Sequence, residues 1–291
     1  MKFSPLTILL RYAAWPALAM AALPSHAAIT CSLTANGVTT TYAQAAVTTA
    51  TSSVTVNCSR LVSDSAANVT YYLNLDQGEP PAGRNMTRQN GTELLAYSVF
   101  RNSGFTGSWT TGNGQNAGSN TAGGLNVPIA WAGSTNFSVT TPYYFRINAG
   151  ISRPAGIYDD VATFSLFVTR GGTLLSTATA NLNASIVAAC FFNSTGDVAI
   201  NYTSFSAVAR TGSANYSMSC TLGTPYTMAV TPTSGNLLGL PYTLALSQPS
   251  GVGSAFPQNY SVTATIPSNQ SGICATGSCN ALQAHQIVIT Y

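Results

Sequence analysis

Apolar and polar residues alternate with a period of two along most of this chain. The alternating segments are rich in β-branched and aromatic residues and are bounded by Gly, Asn and Pro. The pattern predicts strands at Ser53–Cys58, Thr70–Leu75, Leu94–Phe100, Tyr143–Ala149, Val161–Thr169 and Thr173–Val187. Only Arg170-Gly171-Gly172 separates the last two, the spacing of a hairpin. No segment carries a convincing helical period, so an all-β chain is expected.

The order of strands then repeats. Cys190 opens a second copy as Cys31 opens the first. Asn215–Cys220 answers Ser53–Cys58, and Tyr226–Val230 answers Tyr71–Leu75. Leu237–Leu246 answers Leu94–Phe100, and Tyr260–Ile266 answers Tyr143–Ala149. His285–Tyr291 answers Val161–Thr169. The first copy continues into Thr173–Val187, for which the second has no counterpart. The expected organisation is a segment 28–187 followed by a segment 188–291 that lacks its final strand.

In the last strand Ile287, Ile289 and Tyr291 share one face, and Val288 and Thr290 the other. A strand with apolar residues on both faces is built to be covered. Each buried backbone group left unpaired costs roughly 1–3 kcal/mol. Three or four of them approach the whole stability of a domain, about 5–15 kcal/mol. The bland reading is an ordinary edge strand. The sharper expectation is that another polypeptide supplies the missing neighbour, with Ile287, Ile289 and Tyr291 as the strand-acceptor edge.

Composition narrows the function. Of 291 residues 45% are hydrophobic and only 6% are charged, with 10 Lys and Arg against 7 Asp and Glu. Typical soluble domains carry about 25% charged residues. A basic nucleic-acid binder and a charged disordered chain are both excluded. Acid–base catalysis has few possible carriers, and no nucleophile–base pair is apparent, so no enzymatic activity, cofactor or metal is expected.

The N-terminus reads as a signal peptide, residues 1–27. Lys2 and Arg11 precede the apolar stretch Tyr12–Leu23, and Ser25 and Ala27 suit a signal-peptidase site. An exported chain with an even number of cysteines reads as disulfide-bonded. The six are Cys31, Cys58, Cys190, Cys220, Cys274 and Cys279. Similar separations and similar places in the two copies pair Cys31 with Cys58 and Cys190 with Cys220, leaving Cys274 with Cys279 as a local staple. Closing loops as long as the first two is worth roughly 3–4 kcal/mol.

These features, taken in order, resemble the spore coat protein U-type domains, the pilin-like modules of archaic chaperone–usher pili. In the first copy the resemblance rests on Cys31 and Cys58, on Arg84-Asn85-Met86 ahead of Leu94–Phe100, and on Pro154-Ala155-Gly156-Ile157-Tyr158-Asp159-Asp160-Val161. In the second it rests on Cys190, on Cys220 followed by Thr221–Tyr226, and on the ending His285–Tyr291. The Cys274–Cys279 region departs from the family pattern, because the second copy has no Gly-Xaa-Tyr-Xaa-Asp turn.

The resemblance implies two tandem immunoglobulin-like β-sandwich domains and donor-strand complementation, a form of β-augmentation. It implies, in order, a periplasmic pilus chaperone, an outer-membrane usher and an adjacent pilin subunit as partners. After cleavage only Ala28, Ile29 and Thr30 would precede Cys31, a reach of about 10 Å, too short to donate a strand. The expected function is therefore a tip adhesin at the cell surface, exported through the periplasm and gripping an abiotic or host surface in biofilm formation. The alternative is a secreted spore-coat or matrix structural protein with no pilus role.

Phe105 and Trp109, in the Gly-, Ser- and Asn-rich loop Arg101–Leu125, are the expected adhesive contacts. The competing reading is that they fold back as loop anchors. Nothing in the sequence marks a sugar cleft. Asp159 and Asp160 point to opposite faces of any extended segment and are read as part of the family turn. His285 is read as a strand residue.

Overall fold

The computed structural model describes residues 29–64, 67–76, 84–109, 124–169, 172–274 and 277–291. The expected signal peptide with Ser25 and Ala27, residues 110–123 of the long loop, and Arg170 and Gly171 of the hairpin lie outside the described residues. Among the described residues every regular element is a strand, and the protein is all-β.

In the N-terminal half, β1 (Thr30–Ala35), β2 (Val38–Thr41), β3 (Thr48–Ser59), β4 (Val69–Leu75) and β5 (Arg84–Arg88) are followed by five more strands. These are β6 (Leu94–Phe100), β7 (Leu125–Ile129), β8 (Asn136–Ile147), β9 (Gly156–Phe167) and β10 (Leu174–Ile186). They form one sheet in the order β1-β3-β8-β6-β5-β9-β10-β2, with β4 paired to β7 and β9. The sheet curls back on itself: the backbone N–H of Leu33 on β1 donates to Ser176 Oγ on β10 at 3.1 Å. Period-two alternation decides what lies inside. Val54 and Val56 of β3, Phe145 and Ile147 of β8, Phe164 and Leu166 of β9 and Leu182 of β10 are completely buried. Their neighbours in sequence on β3, such as Thr55 and Asn57, turn outward.

In the C-terminal half, β11 (Cys190–Ser194), β12 (Arg210–Cys220), β13 (Pro225–Thr231) and β14 (Ser234–Leu237) precede β15 (Leu240–Leu246), β16 (Ser250–Val252), β17 (Gln258–Ile266) and β18 (Gln286–Thr290). One sheet runs β11-β12-β17-β15-β14 and another β16-β13-β18. A separate core gathers Tyr216 and Met218 of β12, Tyr226 and Met228 of β13, and Tyr260 and Val262 of β17.

The halves correspond strand for strand. The path β1-β3-β8-β6-β5 matches β11-β12-β17-β15-β14, and β7-β4-β9 matches β16-β13-β18. Two strands of the first half, β10 and β2, have no counterpart among the described residues of the second. The repeat in the sequence leads to the expectation of one absent strand. It misses β2, a short strand that runs parallel to β10 from far upstream and pairs Val38 with Leu182.

Cys31 faces Cys58 across β1 and β3, and Cys190 faces Cys220 across β11 and β12. Each pair is a disulfide with Cα atoms 4.1 Å apart. The third disulfide joins Cys274 and Cys279.

Three local expectations change. Leu237–Leu246 is not one strand but the hairpin β14–β15. Leu238 and Gly239 form its two-residue turn with φ of 51° and 75°, the left-handed pair that tight hairpins require. β8 starts well before Tyr143, because the alternation of Phe137 and Val139 with Ser138 and Thr140 extends it to Asn136. The segment Gly156–Asp160, expected as a turn, belongs to β9: Tyr158 is completely buried and its flanking residues are not.

The two acids on β9 are structural and act separately. Asp159 accepts a hydrogen bond from Gln89 Nε2 at 2.8 Å. Asp160 accepts one from the Tyr97 hydroxyl, which also receives Arg84 Nη1 at 3.2 Å. Arg84 is 7% exposed and is paired with the Asp76 carboxylate. Burial raises the Tyr97 hydroxyl above its ordinary range; Arg84 opposes this and the acceptor Asp160 adds to it.

Candidate functional site

The site is the outer edge of β18, and the N-terminal half supplies its reference geometry. On β9, Phe164 faces Leu75 of β4 on one side and Ala178 of β10 on the other. Leu166 likewise lies between Leu73 and Ser176. With neighbours on both edges, Phe164 and Leu166 are completely buried. On β18, Ile287 faces Val230 of β13 and Ile289 faces Met228, so the inner ladder is reproduced. No described residue pairs with the other edge. Ile287 and Ile289 touch the core of the C-terminal half but stay half-exposed, Val288 is 47% exposed and Tyr291 58%.

Alternate residues of an antiparallel strand aim their backbone N–H and C=O groups at each flanking strand. Along β18 one of those two sets meets no strand among the described residues. Such an edge is a template for pairing.

The opposite wall is β11. Phe192 faces Met218 as Leu33 faces Val56 in the other half. Leu33, covered by β10, is 7% exposed. Phe192 is 36% exposed, and its neighbour Phe191 is 59% exposed. Sequence reasoning missed this wall, although the signal was available: Phe192 follows Cys190 by the same two residues that separate Leu33 from Cys31.

His285 anchors the start of β18. Its Nδ1 lies 2.9 Å from the carbonyl of Pro232, which can only accept, so the ring donates there. Nε2 meets the hydroxyl of Tyr242 at 2.5 Å. Both ring nitrogens are engaged in holding the loop ahead of β18, which leaves none free for catalysis. Among the described residues no group of His, Cys, Asp and Glu is placed to hold a metal ion.

The candidate adhesive residues do not form an exposed site. Trp109 is 2% exposed and lies edge-on against Phe164, with ring centroids 5.5 Å apart. Its backbone N–H donates to the carbonyl of Val99 at 2.7 Å, which folds the start of the loop back along β6. Phe105 is half-buried. Its ring meets Phe100 edge-to-face at 5.4 Å, and the Arg146 guanidinium lies over it at 5.8 Å. Both aromatics turn toward the sheet because burying a ring returns more free energy than leaving it on a polar loop.

A family model described as the spore coat protein U domain matches residues 17–165. No curated protein matches the chain in sequence. Among solved structures, one similar to this chain is the chaperone–tip adhesion subunit pre-assembly complex CsuC–CsuE from archaic chaperone–usher Csu pili of Acinetobacter baumannii. It is 14% identical, with 90% of this chain and 100% of that one covered, at a TM-score of 0.49. Another is the CupB6 tip adhesin from Pseudomonas aeruginosa, 14% identical, with 91% and 94% covered, at a TM-score of 0.40. The family match spans just over half of the sequence and ends inside β9, short of the C-terminal half. On that match, the chain belongs to the spore coat protein U domain family.

Proposed function

We propose that this protein is a non-enzymatic tip adhesin of a chaperone–usher pilus. Residues 28–187 form the adhesive domain, and residues 188–291 form a pilin-like domain that accepts a strand from another polypeptide. The observation that carries this reading is the contrast between two matched strands. Phe164 and Leu166 are sealed by β10, whereas Ile287 and Ile289 hold the same positions beside an open edge. A periplasmic chaperone fills that edge before assembly and the adjacent pilin fills it afterwards, with an outer-membrane usher between the two events. The protein is thereby exported to the cell surface, where it promotes biofilm formation.

The experiment is expression with and without a chaperone. On this reading the chain alone is unstable or aggregates, and co-expression with a periplasmic pilus chaperone yields a soluble complex. A stable, soluble monomer would favour the coat or matrix alternative.

The surface contact on this reading is made by the end of the N-terminal half away from β11. β9 and β10 meet there, and so do the end of β3 and the start of β4. Leu61 and Val62 are 59% and 86% exposed, and Val168 and Leu174 of the hairpin 39% and 48%. Apolar side chains gathered at one end of a domain mark a contact surface. Replacing Leu61 and Val62 together by Ser removes about 3 kcal/mol of contact free energy, roughly a hundredfold in affinity. Attachment to hydrophobic plastic should fall accordingly while pilus assembly persists. Unchanged attachment would clear this end of the role.

A further inference from the structure

No strand answers β2 in the C-terminal half, yet a segment occupies its place. β2 leads into Tyr42. Val38, Thr40 and Tyr42 turn inward, while Thr39 and Thr41 are exposed. Val198, Ile200 and Tyr202 are likewise drawn in, and Asp197, Ala199 and Asn201 are exposed. Val38 precedes Tyr42 by the same number of residues as Val198 precedes Tyr202. Both runs also start from the same point. The N–H of Asn36 donates to the carbonyl of Ser53 at 2.9 Å, and Gly196 lies against the carbonyl of Asn215. Ser53 stands as far before Cys58 as Asn215 does before Cys220.

The two tyrosines make the same bonds. The Tyr42 hydroxyl donates to the carbonyl of Asn148 at 2.9 Å and accepts from the N–H of Ile151 at 3.0 Å, both in the loop after β8. The Tyr202 hydroxyl donates to the carbonyl of Gln270 at 3.1 Å and accepts from the N–H of the same residue at 2.8 Å, in the loop after β17. β8 and β17 are matched strands, so each tyrosine ties its segment to the corresponding loop. Ser204 Oγ adds a bond to the carbonyl of Ser271 at 2.7 Å.

What differs is the partner. β2 runs parallel to β10, from Val38 opposite Leu182 to Thr41 opposite Ser185, and the N–H of Tyr42 donates to the carbonyl of Ser185 at 2.9 Å. Among the described residues no strand pairs with Val198–Asn201. Ordering an extended segment costs conformational entropy that a sheet ladder ordinarily offsets. Here a tyrosine hydroxyl holds the segment in place instead.

We propose that Val198–Asn201 is a second pairing edge of the slot beside β18, and that Tyr202 is the positioning residue that holds it ready. The proposal rests on the strand-accepting reading. β10 shows what the occupant must be: an extended segment of polypeptide, antiparallel to β18 and parallel to Val198–Asn201, with apolar residues at alternate positions. Val198 packs against the core of the C-terminal half. An apolar side chain opposite it, as Leu182 is opposite Val38, closes that part of the slot. With both edges taken, the incoming strand lies inside a sheet and is no longer an open edge itself. Holding the second edge in place beforehand lowers the ordering cost of binding. Alternate residues of a strand aim their N–H groups at the same neighbour. The N–H of Tyr42 meets β10, so those of Tyr202 and of Ile200, two residues earlier, should face the incoming strand.

The test is residue-resolved amide exchange on the full chain, with and without a complementary strand appended after Tyr291 through a flexible linker. Without it, the Ile200 and Tyr202 amides should exchange nearly as fast as unstructured backbone. With it, both should slow together with the outward amides of β18. Tyr202→Phe keeps the ring and removes the hydroxyl. In the chain carrying the added strand it should speed exchange at Ile200 and Tyr202 about tenfold, the worth of the lost hydroxyl bonds, and leave the amides of β12 and β17 as protected as before. Tyr42→Phe removes the same bonds from the N-terminal half and should leave Ile200 and Tyr202 unchanged. Slowing of the β18 amides alone would overturn the second edge and leave the strand-accepting reading standing, whereas slowing of neither set would overturn both. Protection of Ile200 and Tyr202 before any strand is added would also overturn the proposal, as would unchanged rates in Tyr202→Phe.

Discussion

A strand appended after Tyr291 through a flexible linker, with Val or Leu at alternate positions, should raise the melting temperature of the C-terminal half by about 20 °C. The estimate comes from the edge itself. Ile287 and Ile289 are half-buried, and finishing their burial is worth roughly 1 kcal/mol each. Pairing the outward backbone groups of β18 adds about 1 kcal/mol per hydrogen bond. Two or three such bonds bring the total to roughly 4 kcal/mol. For a domain of this size each kcal/mol moves the midpoint by about 4–8 °C.

The complete half shows what the added strand must look like. β10 sets small residues, Ser176 and Ala178, opposite the large Leu166 and Phe164. Ile287 is smaller than Phe164, so the incoming strand has room for larger inward side chains. The control is the same appended length with Ser and Asn at the inward positions, which should leave the melting temperature where it was. Equal effects from both strands would mean that the stabilisation does not come from filling an apolar slot.

Replacing Trp109 by Ala should destabilise the N-terminal half by about 4 kcal/mol, within the range for deleting a large buried aromatic. The ring fills space beside Phe164 and is nearly inaccessible to solvent. Phe105→Ala should cost far less, about 1 kcal/mol, because that ring is half-buried on the outer face. Urea unfolding followed by intrinsic fluorescence separates the two. If Trp109→Ala unfolds at the parental midpoint while Phe105→Ala does not, the assignment of the two rings is reversed. Loss of surface attachment in a Trp109 variant is therefore a folding effect and says nothing about adhesion.

Trp109 also shows where sequence reasoning stops. A single aromatic among Gly, Ser and Asn looks exposed, because no alternation around it points to a core. Its burial depends on the Phe100–Ser108 bridge and on a hydrogen bond to Val99, contacts that one loop makes with one strand. By contrast, strands such as β6 and β10 were legible to within a residue or two, since their alternation is long and their bounds carry Gly and Asn. β1, β2, β5 and β7 were not. They are short, too short for an alternation to stand out, and β2 in addition has its partner far away in sequence, as Val38 and Leu182 show. The Asp159–Asp160 pair was legible as two separate acids, but its place in a strand was not. That depends on Tyr97, Arg84 and Asp76 closing a polar network around one end of β9.

The open edge of β18 was half legible. The alternation of Ile287 and Ile289 marked one wall, and the repeat led to the expectation of a further neighbour. The second wall, Phe192 on β11, needed the register of the first half for comparison. It faces Met218 in the place where Leu33 faces Val56, and its exposure is the mark of the absent cover.

Residue-resolved amide hydrogen exchange tests the open edge most directly. In the isolated chain the outward amides of β18 should exchange nearly as fast as unstructured backbone, while those of β9 that bond to β10 stay protected. Supplying the complementary strand should slow the β18 amides to the rates of β9. Protection of the outward β18 amides in the lone chain, before any strand is added, would contradict the account.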